Sequence, residues 1–168
     1  SFSSRPLRIV HHGIANRERS ISRMMDAVEL AGRDFTLDLY LTGQPARVDA
    51  LRAHVGSSSR VVIKPPVPHR EIGMMLRNYQ VGLHFVPGGA TTNLKLGMPN
   101  KLFEFLEVGL PVVCSPSMLE MADFITTHGV GVVAEQDTVE SLAEVLATLS
   151  SNRLDFLRGN VLALRKET

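Results

Sequence analysis

Six short apolar, β-branched runs alternate with stretches of helical period, and this alternation constrains the fold of the chain more than any other feature. The runs cover residues 7–11, 36–41, 61–63, 81–86, 111–114 and 130–133 and have the length and composition of strands. Between them, residues 20–31 set Ile21, Met24, Met25, Val28 and Ala31 on one helical face. Residues 46–55, 69–78, 100–108, 117–128 and 138–149 follow the same spacing, and 152–166 reads as a further helix. Gly43, Pro65-Pro66, Pro87-Gly88-Gly89, Gly109 and Gly129 mark the joins. Strands that alternate with helices over this length build βαβ units. The expected fold is α/β, a doubly wound, mainly parallel six-stranded Rossmann-like sheet covered on both faces, forming one domain over residues 1–168. With 44% hydrophobic residues the chain can bury a substantial core, and disordered readings fall away.

Composition removes several classes of function. A net charge of +1 argues against a general nucleic-acid or membrane-surface binder, because such partners call for a charge excess. The single cysteine, Cys114, excludes an internal disulfide framework and a multi-cysteine metal site. At the end of an apolar strand it reads as a packed thiol. No apolar run approaches the ~18 residues of a membrane span, and Ser1-Phe2-Ser3-Ser4 is not a signal peptide. A cytoplasmic location is therefore expected. The start on Ser1 rather than Met reads as a piece of something longer.

In a doubly wound sheet, ligands sit beyond the C-terminal strand ends, where helix N-termini point into a crevice. The turn after the first strand, His11-His12-Gly13-Ile14-Ala15, lacks the glycine pattern of a dinucleotide site. A phosphate-binding G-x-x-x-x-G-K-S/T loop, a zinc H-E-x-x-H pair, an Asp-x-Asp pair and a G-x-S-x-G elbow are also missing. What the first turn does carry is charge. Residues 5–23 hold Arg5, Arg8, Arg17, Arg19 and Arg23 against Glu18, a local +4 that leaves −3 elsewhere. Arginine forks match phosphate oxygens, so Arg17 and Arg19 beside Gly13 read as a phosphate clamp, with solvated surface arginines as the alternative. Arg5 and Arg8 flank the strand and read as structural. For His11 and His12, packing at the strand end is favoured over a chemical role.

The most informative stretch is Pro99-Asn100-Lys101-Leu102-Phe103-Glu104-Phe105-Leu106-Glu107-Val108-Gly109-Leu110-Pro111-Val112. Asn100 reads as a helix N-cap and Gly109 as the stop. Lys101 and Glu104, three apart, share a face. An ordinary ion pair explains the pairing but not a lysine in a first helical turn, where the helix dipole disfavours cations. A bound diphosphate would reverse that penalty, and a carboxylate one turn deeper could take both hydroxyls of a ribose.

The segment resembles the donor-binding, C-terminal domain of GT-B-fold retaining glycosyltransferases, group 1 or family 4. The matching residues are Pro99, Asn100-Lys101, Glu104-Phe105, Gly109 and Pro111-Val112, with Leu41-Thr42-Gly43, Arg70-Glu71-Ile72 and Tyr79-Gln80-Val81-Gly82 in support. The resemblance implies that Lys101 and Arg19 or Arg17 grip the donor diphosphate and that Glu104 holds the ribose. It implies that Gly13 keeps the first loop close to the phosphates, that Val67 and Ile72 flank the nucleobase, and that Thr92 and Asn93 border the sugar. Asn100 at the helix start joins the donor-binding set. The family often has a glutamate eight positions before the ribose-binding one, and here that position is Leu96.

By the same resemblance the donor is a nucleotide sugar, UDP- or GDP-linked, and the acceptor a polysaccharide, lipid or small molecule. No cofactor or metal is expected, since arginine, lysine and a helix N-terminus can stabilise the departing diphosphate. The implied partner is an N-terminal domain of the same enzyme, without which this lobe is inactive; the full enzyme could associate peripherally with the inner membrane. The alternatives are a nucleotide-sugar epimerase domain and a non-catalytic, receiver-like α/β module. The second calls for an acidic cluster where this chain is basic.

Overall fold

The computed structural model of the chain describes residues 6–15, 18–32, 34–58, 60–86 and 100–167. All six expected strands form, as β1 (Leu7–Ile14), β2 (Phe35–Thr42), β3 (Val61–Lys64), β4 (Val81–His84), β5 (Val112–Cys114) and β6 (Gly131–Val133). They make one sheet in the order β3-β2-β1-β4-β5-β6, with every pairing parallel. The helices are α1 (Glu18–Ala31), α2 (Pro45–Val55), α3 (Ile72–Leu76), α4 (Asn100–Glu107), α5 (Leu119–His128), α6 (Val139–Ala147) and α7 (Ser151–Glu167). The strand order reverses between β1 and β4, which in doubly wound sheets opens a crevice at their C-terminal ends.

Two cores flank the sheet. Ile9, Leu37, Leu39 and Leu83 meet Ile21, Met24, Met25 and Val28 of α1 and Leu142 and Leu146 of α6. On the other face, Val10, Val112 and Cys114 meet Leu76 of α3, Leu102 and Phe105 of α4, Met121 and Ile125 of α5, and Val161 of α7. Alternate residues of β1 thus feed opposite cores, as the two-residue period of a strand requires. Both members of the Met24-Met25 pair are buried, because α1 is wedged between the sheet and α6 and so has a wide apolar face. Of Met74 and Met75 on the short α3, only Met75 is buried.

The structure departs from the periodicity at two places that matter. The expected helix over 69–78 is a 3-10 turn, His69–Glu71, followed by a five-residue α3. The turn forms as the Glu71 N–H bonds back to the Pro68 carbonyl at 2.8 Å, directly after the proline-rich join. The first strand is longer than its apolar run. Pairing continues through His12↔Tyr40, Gly13↔Leu41 and Ile14↔Thr42, so Gly13 lies inside β1 in extended backbone rather than closing it.

Arg8 is structural, and it lies within β1 rather than flanking it. Its guanidinium lies 4.7 Å from the centre of the Tyr79 ring and 3.6 Å from Asp38. The Tyr79 hydroxyl donates to Asp38 at 2.5 Å and accepts from Tyr40 at 2.8 Å. This network ties the turn before β4 to β2 and satisfies a buried carboxylate, which would be costly alone.

At Gly82 the sheet makes room for Phe105 of α4. A Cβ there would stand 2.5–2.7 Å from three carbons of the fully buried Phe105 ring. Gly82→Ala is expected to destabilise the fold by about 1–3 kcal/mol through overpacking. Urea unfolding checks this, and a midpoint equal to that of the wild type would show that Phe105 can yield.

Candidate functional site

The C-terminal ends of β1 and β4 meet the N-terminus of α4. Asn100, expected as the N-cap, is the first residue of that helix, and Lys101 is the second. The buried stripe of Leu102, Phe105 and Leu106 anchors α4 against β1, β4 and β5. This packing sets the first turn of the helix, the positive end of its dipole, at the crevice.

The Lys101 side chain reaches across to β1. A Cβ on Gly13 would fall on the Lys101 ammonium, 3.1 Å from its Cε and 3.4 Å from His11 Nε2. The backbone of Gly13 is ordinary extended strand, so what glycine supplies here is room for the ammonium to approach. His11 donates its Nδ1–H to the Leu83 carbonyl at 2.9 Å, which leaves Nε2 as an acceptor in the neutral ring. Its ring is stacked 6.1 Å from His84 at the end of β4.

His12, next along β1, stands edge-on to Phe105 with ring centres 5.7 Å apart. Its Nε2 lies 3.1 Å from Glu104 Oε2, although the pair lacks the alignment of a hydrogen bond and both atoms are buried. Burial pushes His11 well below the usual histidine value, helped by the positive charge of Lys101. Burial, with Lys101 and His69, lowers His12 to about 4. Burial raises Glu104, against the opposing pull of His69 and Lys101. At neutral pH both imidazoles of the cluster are therefore uncharged.

Among the expected site residues, Gly13, Lys101, Glu104 and Asn100 come together here. Val67 and Ile72 are half-buried against the α3–α4 core. Arg19 is the second residue of α1, and its side chain lies outside the described residues, as do Arg17, Thr92, Asn93 and Leu96. Residues 117–128 provide no carboxylate for the cluster, since Glu120 and Asp123 are exposed on α5. Cys114 is fully buried and its thiol is pushed up to about 12, mainly by burial, so it is packing and not a nucleophile. Among the described residues no group of three or more His, Cys, Asp or Glu is placed to hold a metal ion. A cleft of about 440 Å³ lined by Leu7, Phe35, Gln80, Pro111 and Arg158 lies at the opposite, N-terminal end of the strands, away from this cluster.

Sequence reasoning passed over the histidines as a group. His12 contacts Glu104, His84 stacks with His11, and the charge of His69 reaches His12 and Glu104. The signal was present in two polar, ionisable residues placed in strand-end positions that β-branched residues ordinarily fill.

A family model described as glycosyl transferases group 1 matches residues 6–152. The chain belongs to this family. Its fold is that of one lobe of a GT-B glycosyltransferase. WaaG, a glycosyltransferase involved in lipopolysaccharide biosynthesis, is similar at 17% identity and TM-score 0.75, over 99% of this chain and 44% of WaaG. The C-terminal domain of the group 1 protein LpcC from Francisella tularensis is 14% identical with TM-score 0.72, over 98% of this chain and 87% of that one. Anabaena HepE, solved with UDP and glucose, is 16% identical with TM-score 0.72, over 98% of this chain and 44% of HepE. No curated protein matches the chain. This group 1 chain thus spans less than half the length of WaaG and HepE and most of the LpcC domain. Among the described residues no helix is long and apolar enough to cross a membrane.

Proposed function

We propose that this chain is the donor-binding lobe of a retaining glycosyltransferase, which holds a nucleoside diphosphate sugar while a second lobe of the same enzyme presents the acceptor. The observation that carries the reading is the Lys101 ammonium seated against Gly13 at the switch point, in the first turn of α4, with Glu104 one turn deeper. Cations and helix N–H groups directed at one point suit a diphosphate. A carboxylate beyond them suits a vicinal diol, because one carboxylate can accept from both hydroxyls. HepE was solved with UDP and VinC with dTDP, which makes a pyrimidine nucleoside diphosphate the first probe to use.

In this reading Lys101 and the helix start at Asn100, with Arg19 or Arg17, neutralise charge that builds on the leaving diphosphate. Stabilising that charge as the sugar departs lowers the barrier without a metal or an organic cofactor. Val67 and Ile72 flank the base, and Thr92 and Asn93 border the sugar. The lobe alone is inactive, and robust transfer by the 168-residue chain would overturn that half of the proposal.

The test of the site is calorimetric titration of the chain with UDP. Glu104→Ala is expected to weaken binding roughly tenfold, the scale of a hydrogen-bonded pair with one charged partner. Unchanged affinity would return Glu104 to the role of a surface-facing helix residue and sink the ribose assignment.

A further inference from the structure

We infer that His12 is a positioning residue for Glu104: the imidazole at the end of β1 fixes one carboxylate oxygen so that the other meets the ribose diol. The inference rests on the reading of Glu104 as a ribose ligand. Three observations carry it. The Nε2 of His12 and the Oε2 of Glu104 face each other at 3.1 Å across the junction of β1 and α4. The His12 ring cannot drift, because it is buried and set edge-on against the fully buried Phe105. Finally, both atoms are buried and neither has an aligned hydrogen-bond partner among the described residues.

A buried polar atom without a partner is costly, and such atoms concentrate where a ligand or a movement completes them. A small rotation of the Glu104 carboxylate brings the two atoms into line. Hydrogen bonds at functional sites are often poorly aligned before the ligand arrives and tighten when it binds. A neutral imidazole has one N–H to give, and giving it from Nε2 assigns Oε2 to His12. Oε1 then remains for the ligand. The Glu104 side chain keeps about a quarter of its surface exposed, so the ligand has access. Lys101 seats its ammonium against Gly13 whereas His12 faces Glu104, so the phosphate contact and the positioning contact fall on different side chains and are separable.

That separation defines the test. The chain is titrated with UDP, with 2′,3′-dideoxyuridine diphosphate and with inorganic pyrophosphate, as the wild type and as His12→Leu, His12→Gln and Glu104→Ala. The wild type is expected to prefer UDP to the dideoxy compound by about tenfold, the scale of hydrogen bonds to a charged group. His12→Leu should lose most of that preference and keep its affinity for pyrophosphate. His12→Gln, whose amide can still donate, should recover much of it. A merely structural role predicts equal weakening for all three ligands, and that result overturns the inference. So does a diol preference retained in His12→Leu but lost in Glu104→Ala, which leaves the ribose assignment standing. A preference retained in Glu104→Ala, or absent from the wild type, removes the ribose assignment and the inference with it. Thermal melting of each variant identifies any loss that comes from misfolding, and in that case His12→Gln alone decides.

Discussion

Lys101→Ala is expected to weaken UDP binding by roughly 10- to 100-fold, the range set by removing a hydrogen bond to a charged group. In a full-length enzyme carrying this lobe, the turnover number should fall by ~10²–10³, the usual loss when one preorganised donor at a developing anion is removed. The second effect exceeds the first because charge on the diphosphate increases as the bond to the sugar breaks. The ammonium is then worth more in the transition state than in the bound donor. Stability should hardly change, since Lys101 is only partly buried and sits where the helix dipole opposes a cation. Gly13→Ala gives an independent check. The added Cβ would occupy the position of the ammonium, and the flexible end of Lys101 can swing away at little cost to the fold. The variant should therefore melt near the wild-type temperature while binding UDP less tightly. Calorimetry with UDP on both variants checks the pair, and wild-type affinity in both would remove the diphosphate assignment.

The architecture was legible because it rests on period. The short apolar runs around Val10 and Leu39 and the helical spacing of Ile21, Met24 and Val28 are properties of the chain that packing only has to satisfy. The crevice followed from the architecture, and Lys101 with Glu104 stood out because a first-turn lysine is locally unfavourable. What could not be read lies in contacts between distant segments. Gly13 resembled a turn glycine, but its missing side chain makes room for a lysine 88 positions away in sequence. His12 is packed as its place in the strand suggests, but its contact with Glu104 depends on where α4 lies against β1. The 3-10 turn at His69–Glu71 escaped for a related reason, since a short turn after a proline carries no period to detect.

The buried histidines also set how the fold responds to acid. His12 titrates at about 4 in the folded chain against 6.5 when exposed, and His11 is shifted in the same direction. As pH falls through 6.5, unfolded chains take up protons that the native state refuses. The unfolded state then binds more protons, so stability falls with pH across the window from 6.5 to about 4. His12 alone should cost about 3 kcal/mol over the whole window, about 2 kcal/mol of it between pH 7 and pH 5. His11 adds to the same loss. Glu104 works the other way, because its raised pKa makes the native state take up a proton early and recover stability on acidification. That recovery offsets part of the loss from the histidines. Lys101 and His69 reinforce the refusal of protons by His12. Urea unfolding at pH 7, 6 and 5 should show a falling midpoint with an unchanged slope. His12→Gln, which cannot titrate, should flatten the dependence by the share of one histidine. A midpoint equal at pH 7 and pH 5 in the wild type would mean that these imidazoles accept protons in the folded chain, and the neutral donor assigned to His12 would go with it.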